Sequence, residues 1–134
     1  MENIIRDEFQ QIKEIIKESL IDKTIYTLVG CKPNHILNTY DEGLVVRTYS
    51  EKKGRSKKKV RWDLVRAVYT ALFHLKEISK IDVQKGKFAD PPVYRCAFIF
   101  PLLARFDHIE SRTNPIGLIY YKPHGIIRLT REDQ

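Results

Sequence analysis

The apolar residues of this chain change period twice, and that limits the folds open to it. From Glu2 to Leu20, the residues Ile5, Phe9, Ile12, Ile16 and Leu20 recur at helical spacing, with Glu, Lys and Gln between them. From Gly43 to Tyr49 the period falls to two: Leu44, Val46 and Thr48 alternate with Val45, Arg47 and Tyr49. From Asp63 to Lys80 the helical period returns in Leu64, Val65, Val68, Leu72 and Leu75, with Asp63 at the end where the helix dipole favours an acid. A stripe spaced for one kind of element cannot bury its residues as the other. The chain must therefore mix helices and strands.

The remaining segments fill in the order. Thr24–Val29 is short and β-branched and reads as a strand ended by Gly30. His35–Tyr40 and Gly43–Tyr49 flank Asp41-Glu42-Gly43, which predicts a β-hairpin. Glu51–Lys59 reads as a polar loop with Gly54 as its flexible point, after which Val60 and Trp62 briefly resume a strand. Ile78–Val83 fits a turn or short helix, and Gly86–Pro92 a loop. Tyr94–Phe106 permits either period, and we read a helix kinked at Pro101. Ile116–Tyr121 and Gly125–Leu129 read as strands turned at His124-Gly125. Helix, strands, two helices and strands, without βαβ alternation, is an α+β order. Two helices followed by a hairpin is also the order of a winged helix. We divide the chain into an amphipathic helix, 1–22, and a single α+β domain, 23–134.

A chain of 134 residues that is 43% hydrophobic is long enough to bury a core without staples. Its two cysteines, Cys31 and Cys96, are too few for a disulfide framework or a four-cysteine zinc site. We read them as the reduced thiols of a cytoplasmic protein. The longest apolar run, Cys96 to Ala104, is too short to span a bilayer, and residues 2–7 lack the order of a signal peptide. No membrane association and no cofactor are expected.

The net charge is +7, and it has an address. Between Arg47 and Arg66 stand nine basic residues and two acidic ones, a surplus equal to that of the whole chain. The basic residues are Arg47, Lys52, Lys53, Arg55, Lys57, Lys58, Lys59, Arg61 and Arg66, and Trp62 lies among them. Clustered cations raise the local potential and displace the counterions of a polyanion. A flexible loop carrying Lys52–Lys59 suits phosphates, and Trp62 offers a face for a base. The same loop also fits a merely solvated segment, and Trp62 also fits a core. Arg95 and Arg105 are the candidates for reading a groove from the third helix. Duplex DNA is the favoured partner, and RNA fits the same charge.

Other chemistry is thinly marked. Asp41 and Glu51-Lys52-Lys53 superficially fit the Asp…Glu-x-Lys pattern of metal-dependent nucleases, but an extended chain would hold the two acids roughly 33 Å apart. Asp107, His108 and Glu110 form a small acid–histidine cluster that fits either a surface loop or a general base. No phosphate-binding glycine loop, nucleophile elbow or zinc spacing is present, so neither a metal site nor a catalytic residue is assigned.

Asn38-Thr-Tyr-Asp-Glu-Gly-Leu-Val-Val-Arg-Thr48, then Val60-Arg-Trp-Asp-Leu-Val-Arg-Ala-Val68, then Tyr94-Arg-Cys-Ala-Phe-Ile-Phe-Pro-Leu-Leu-Ala-Arg-Phe106 together resemble small accessory domains found beside bacterial restriction and defence nucleases. The resemblance covers Asn38 to Tyr121. It implies a nucleic-acid-recognition module and brings no catalytic residue. Three functions follow as expectations. The first is a non-catalytic DNA-binding module using the basic segment. The second is an assembly subunit of a defence system, docking or forming a homo-oligomer through residues 2–20. The third is a small metal-dependent nuclease using Asp41 with Glu51, or the Asp107–Glu110 cluster.

Overall fold

The computed structural model describes residues 2–50, 54–85 and 96–130, with residues 49, 50 and 54–56 described by backbone alone. The N-terminal helix, α1 (Glu2–Ser19), buries the expected stripe of Ile5, Phe9, Ile12 and Ile16, and Leu20 continues it just beyond the last turn. Next come β1 (Thr24–Tyr26), β2 (Pro33–Tyr40), β3 (Gly43–Ser50) and β4 (Gly54–Arg61). They form one antiparallel sheet in chain order, with β1 and β4 at its edges. Asp41 and Glu42 make the two-residue connection between the paired Tyr40 and Gly43. No other residue fits at Gly43 without a shift, because a Cβ there would collide with the Val60 carbonyl of β4.

The polar loop expected at Glu51–Lys59 is instead largely a strand. Residues 51–53 lie outside the described residues, but β4 pairs with β3 without a slip from Gly54↔Ser50 to Arg61↔Gly43. Lysine disfavours strands only weakly, and the pairing is decided by Leu44 opposite Val60, both fully buried.

The second long helix, α2 (Trp62–Leu75), starts directly after β4, where the Trp62 amide donates to the Glu42 carbonyl at 2.8 Å. It stops at Leu75 rather than reaching Lys80. Lys76 adopts a left-handed conformation (φ 67°), and its amide returns to the Leu72 carbonyl. The buried stripe is Val65, Val68, Tyr69, Leu72 and Phe73, while Leu75 is exposed. The chain continues through β5 (Glu77–Ser79) and the short α3 (Lys80–Gln84), whose first turn is capped by the Ser79 hydroxyl accepting from the Asp82 amide.

Helix α4 (Cys96–Leu103) contains Pro101 and is buried on every side except at Ala97. The C-terminal hairpin is β6 (Ile109–Thr113) with β7 (Ile116–Tyr120), turning at Asn114-Pro115 and not at His124-Gly125. With β5 they make a second antiparallel sheet, ordered β5-β7-β6. Gly125–Leu129 makes no strand; its contribution is a bridge between Leu129 and Phe106. The architecture is therefore α+β. Helix α4, which a winged-helix arrangement would place in a groove, is enclosed by the core. Among the described residues no helix is long and apolar enough to cross a membrane.

A polar cluster fastens α1 to the rest. The Tyr69 hydroxyl donates to Glu8 Oε1 at 2.6 Å, and the Tyr120 hydroxyl donates to both Glu8 oxygens at 2.9 and 3.1 Å. Burial, then these bonds to a carboxylate, push both tyrosines well above the usual range. With its proton directed at Glu8, the Tyr69 oxygen accepts from His108 Nε2–H at 3.0 Å. That fixes His108 as the Nε2 tautomer, with Nδ1 an acceptor that is buried without a partner among the described residues.

Two outcomes follow. Gly43→Ala should lower the unfolding free energy by about 1–3 kcal/mol in urea titration, since backbone must move to admit the Cβ. Burial holds His108 below its usual 6.5. Within that window the unfolded chain binds the proton more readily, so stability should fall as pH drops from 6.5 toward the lowered value. His108→Gln keeps an N–H for Tyr69 and should flatten that part of the stability–pH curve.

Candidate nucleic-acid interface

Because β4 is a strand, its basic residues are sorted by side. Cross-strand partners share a face. Leu44↔Val60 and Val46↔Lys58 face the core, where Leu44, Val46 and Val60 are all within 1% of complete burial. Val45↔Lys59 and Arg47↔Lys57 face solvent. On β2, His35 pairs with Arg47 and Tyr40 with Gly43. A bulge between Ile36 and Asn38 restores the outward direction that Tyr40 would otherwise lose. On β1, Thr24 pairs with His35, and the exposed Tyr26 lies on the same side.

One row therefore crosses all four strands: Thr24, His35, Arg47 and Lys57. Within it, Thr24 Oγ1 lies 3.2 Å from His35 Nδ1, and His35 Nε2 lies 3.6 Å from Asp22. Arg47 and Lys57 stand directly opposite with like charge, and neither is ion-paired among the described residues. Such a pair is repulsive unless an anion joins it. Next along the face, the Lys59 ammonium sits 5.4 Å from the centre of the Tyr40 ring, a cation–π contact.

The expected site residues divide accordingly. Arg47, Lys57 and Lys59 are brought together on the solvent face. Lys58 is turned to the other side, where with Lys32, Thr27, Asn34 and Thr48 it lines a cavity of about 370 Å³. Arg61 is exposed but already holds Glu42 at 3.0 Å and Asp63 at 3.1 Å, so much of its charge is answered within the protein. Arg66 belongs to the solvent side of α2, beside Ala67, Thr70 and His74, and not to the sheet. Arg55 lies on β4 opposite Tyr49 in the backbone register. Lys52, Lys53 and Arg95 lie outside the described residues. Trp62 is corrected outright: it is 5% exposed, with Lys13 of α1 set over its ring at 5.4 Å, so it packs the core and offers no face to a base. Arg105 is half-buried next to the enclosed α4 and presents no groove-reading helix.

His35, Tyr26 and Tyr40 were not among the residues expected here. The period-two pattern of the hairpin carried a signal for His35 beside Arg47, but the bulge that turns Tyr40 to the same face leaves no mark in the sequence.

The alternative sites are dispersed. Asp41 is in the β2–β3 turn, and β3 carries the chain away from it for eight residues, about 26 Å; Glu51 lies outside the described residues. His108 turns inward to Tyr69 while Asp107 and Glu110 are exposed. Among the described residues no three His, Cys, Asp or Glu side chains are grouped to hold a metal ion. The apolar stripe of α1, expected as a docking arm, is spent on the protein's own core. Neither cysteine is in a disulfide; Cys31 is exposed, and burial pushes the Cys96 thiol up to about 11.

No protein-family model, curated protein or solved structure matches this chain.

The thiols provide a direct check on the burial pattern. At neutral pH an aromatic disulfide reagent should titrate one thiol, Cys31, in the native protein, and Cys96 should react only after denaturant is added.

Proposed function

We propose that the protein is a non-catalytic nucleic-acid-binding module, DNA being the expected polymer, that takes phosphates on the solvent face of β3 and β4. The observation that carries this reading is the Arg47–Lys57 pair. Two cations held opposite each other on a hydrogen-bonded ladder cost stability, on the order of 0.2–1 kcal/mol, and no acid of the described residues ion-pairs with either. A phosphate placed between them converts repulsion into two charge-assisted hydrogen bonds. Lys59 extends the same surface along the strand. Contacts of this kind position a polymer without reading its bases. The same proposal takes in the expected resemblance of Asn38–Tyr121 to accessory domains beside restriction and defence nucleases, and a cytoplasmic location.

The experiment separates a sheet face from a merely basic segment. Replacing Lys57 and Lys59 together by alanine should weaken binding to a labelled oligonucleotide. It should also reduce the slope of log K against log[salt] by about 1.4–1.8, from roughly 0.7 per contact on single strands and 0.9 on duplex. Lys58→Ala should change that slope by much less than half as much, since its side chain faces the cavity. Equal effects from all three lysines would sink the sheet-face reading.

A further inference from the structure

The solvent face of the sheet is chemically divided. Its cations, Arg47, Lys57 and Lys59, stand on β3 and β4. Among the described side chains, its rings stand on β1 and β2: Tyr26, which is 57% exposed, with His35 and Tyr40, both half-buried. From this division we propose that the polymer is a single strand, with its phosphates along β3–β4 and its bases over the rings of β1–β2. The inference rests on the nucleic-acid reading above and narrows it to one class of ligand.

Three physical points favour a single strand over the duplex expected from charge alone. First, width: four strands spaced about 4.8 Å apart span about 14 Å between outer backbones before side chains are added, against a major groove about 12 Å wide that admits a helix or a two-stranded ribbon. A face of this breadth reaches a duplex only at its phosphates. Second, the rings: bases in a duplex are stacked on each other and offer no face to Tyr26, whereas an unpaired base stacks on an exposed ring. Third, the helices: α4 is enclosed and α1 spends its apolar stripe inside, so among the described helices neither of these is left as a recognition helix. Tyr40 already accepts the Lys59 ammonium on its ring, which shows that cation and ring columns lie within contact distance of each other across the sheet.

The test compares three labelled probes of one mixed sequence at one salt concentration: single-stranded DNA, single-stranded RNA and duplex DNA, read by fluorescence anisotropy. The full chain should bind either single strand more tightly than the duplex. Tyr26→Ala should weaken single-strand binding by roughly tenfold while leaving duplex binding in place, and Tyr26→Phe should restore it, because the ring and not the hydroxyl does the stacking. Tyr26 is exposed and contributes nothing to the buried core, so its removal leaves the fold intact. Duplex binding at least as tight as single-strand binding would overturn the inference while leaving the nucleic-acid reading standing. So would single-strand affinity unmoved by both Tyr26→Ala and Tyr40→Ala. Failure of all three probes to bind would remove the underlying reading as well.

Discussion

The register of β4 against β3 decides most of what this protein presents to solvent. Leu44 opposite Val60 places two fully buried side chains on one face of the ladder. Every second residue then follows, so Lys57 and Lys59 are outside because Val60 is inside. A slip of one residue would bury both lysines and expose the valine, a change too costly to compete. The close approach at Gly43 and the amide of Trp62 held by the Glu42 carbonyl fix the same register at the strand's end. The start of α2, and with it the position of Tyr69 and Phe73 in the core, depends on that point.

Much of this was legible in the chain. The stripe of α1 was readable residue by residue, because a helix that buries one face must repeat its apolar positions. The β2–β3 hairpin was readable from alternation on both sides of Asp41-Glu42-Gly43. What misled was Lys57-Lys58-Lys59. Three consecutive lysines have no alternation to show, so the segment resembled a loop. Its strand character comes from Val60 and from the partner strand, both outside the run. Trp62 misled for a related reason: a tryptophan among cations suits a base-stacking surface, but its position as the first residue of α2 turns it inward. The β6–β7 pairing was missed because Ile109–Thr113 holds one buried residue, Ile109, and otherwise reads as polar.

The charge of β4 has a second consequence, independent of any ligand. It is an edge strand, and an edge strand has a row of unpaired backbone groups that invites another chain. Lysine at three successive positions opposes that pairing, and Lys58 does so from the core side, where an inward-pointing cation is hardest to accommodate against a second strand. Lys57 and Lys59, on the face proposed to take a polyanion, therefore also oppose the addition of another strand at this edge.

Glu8 ties together parts of the chain that are far apart in sequence. Its partners Tyr69 and Tyr120 stand 61 and 112 residues downstream. During synthesis α1 leaves the ribosome before the residues whose hydroxyls anchor it, one 61 and the other 112 residues later. The helix is thus made well before it can be secured, and its apolar stripe must wait for the elements that cover it.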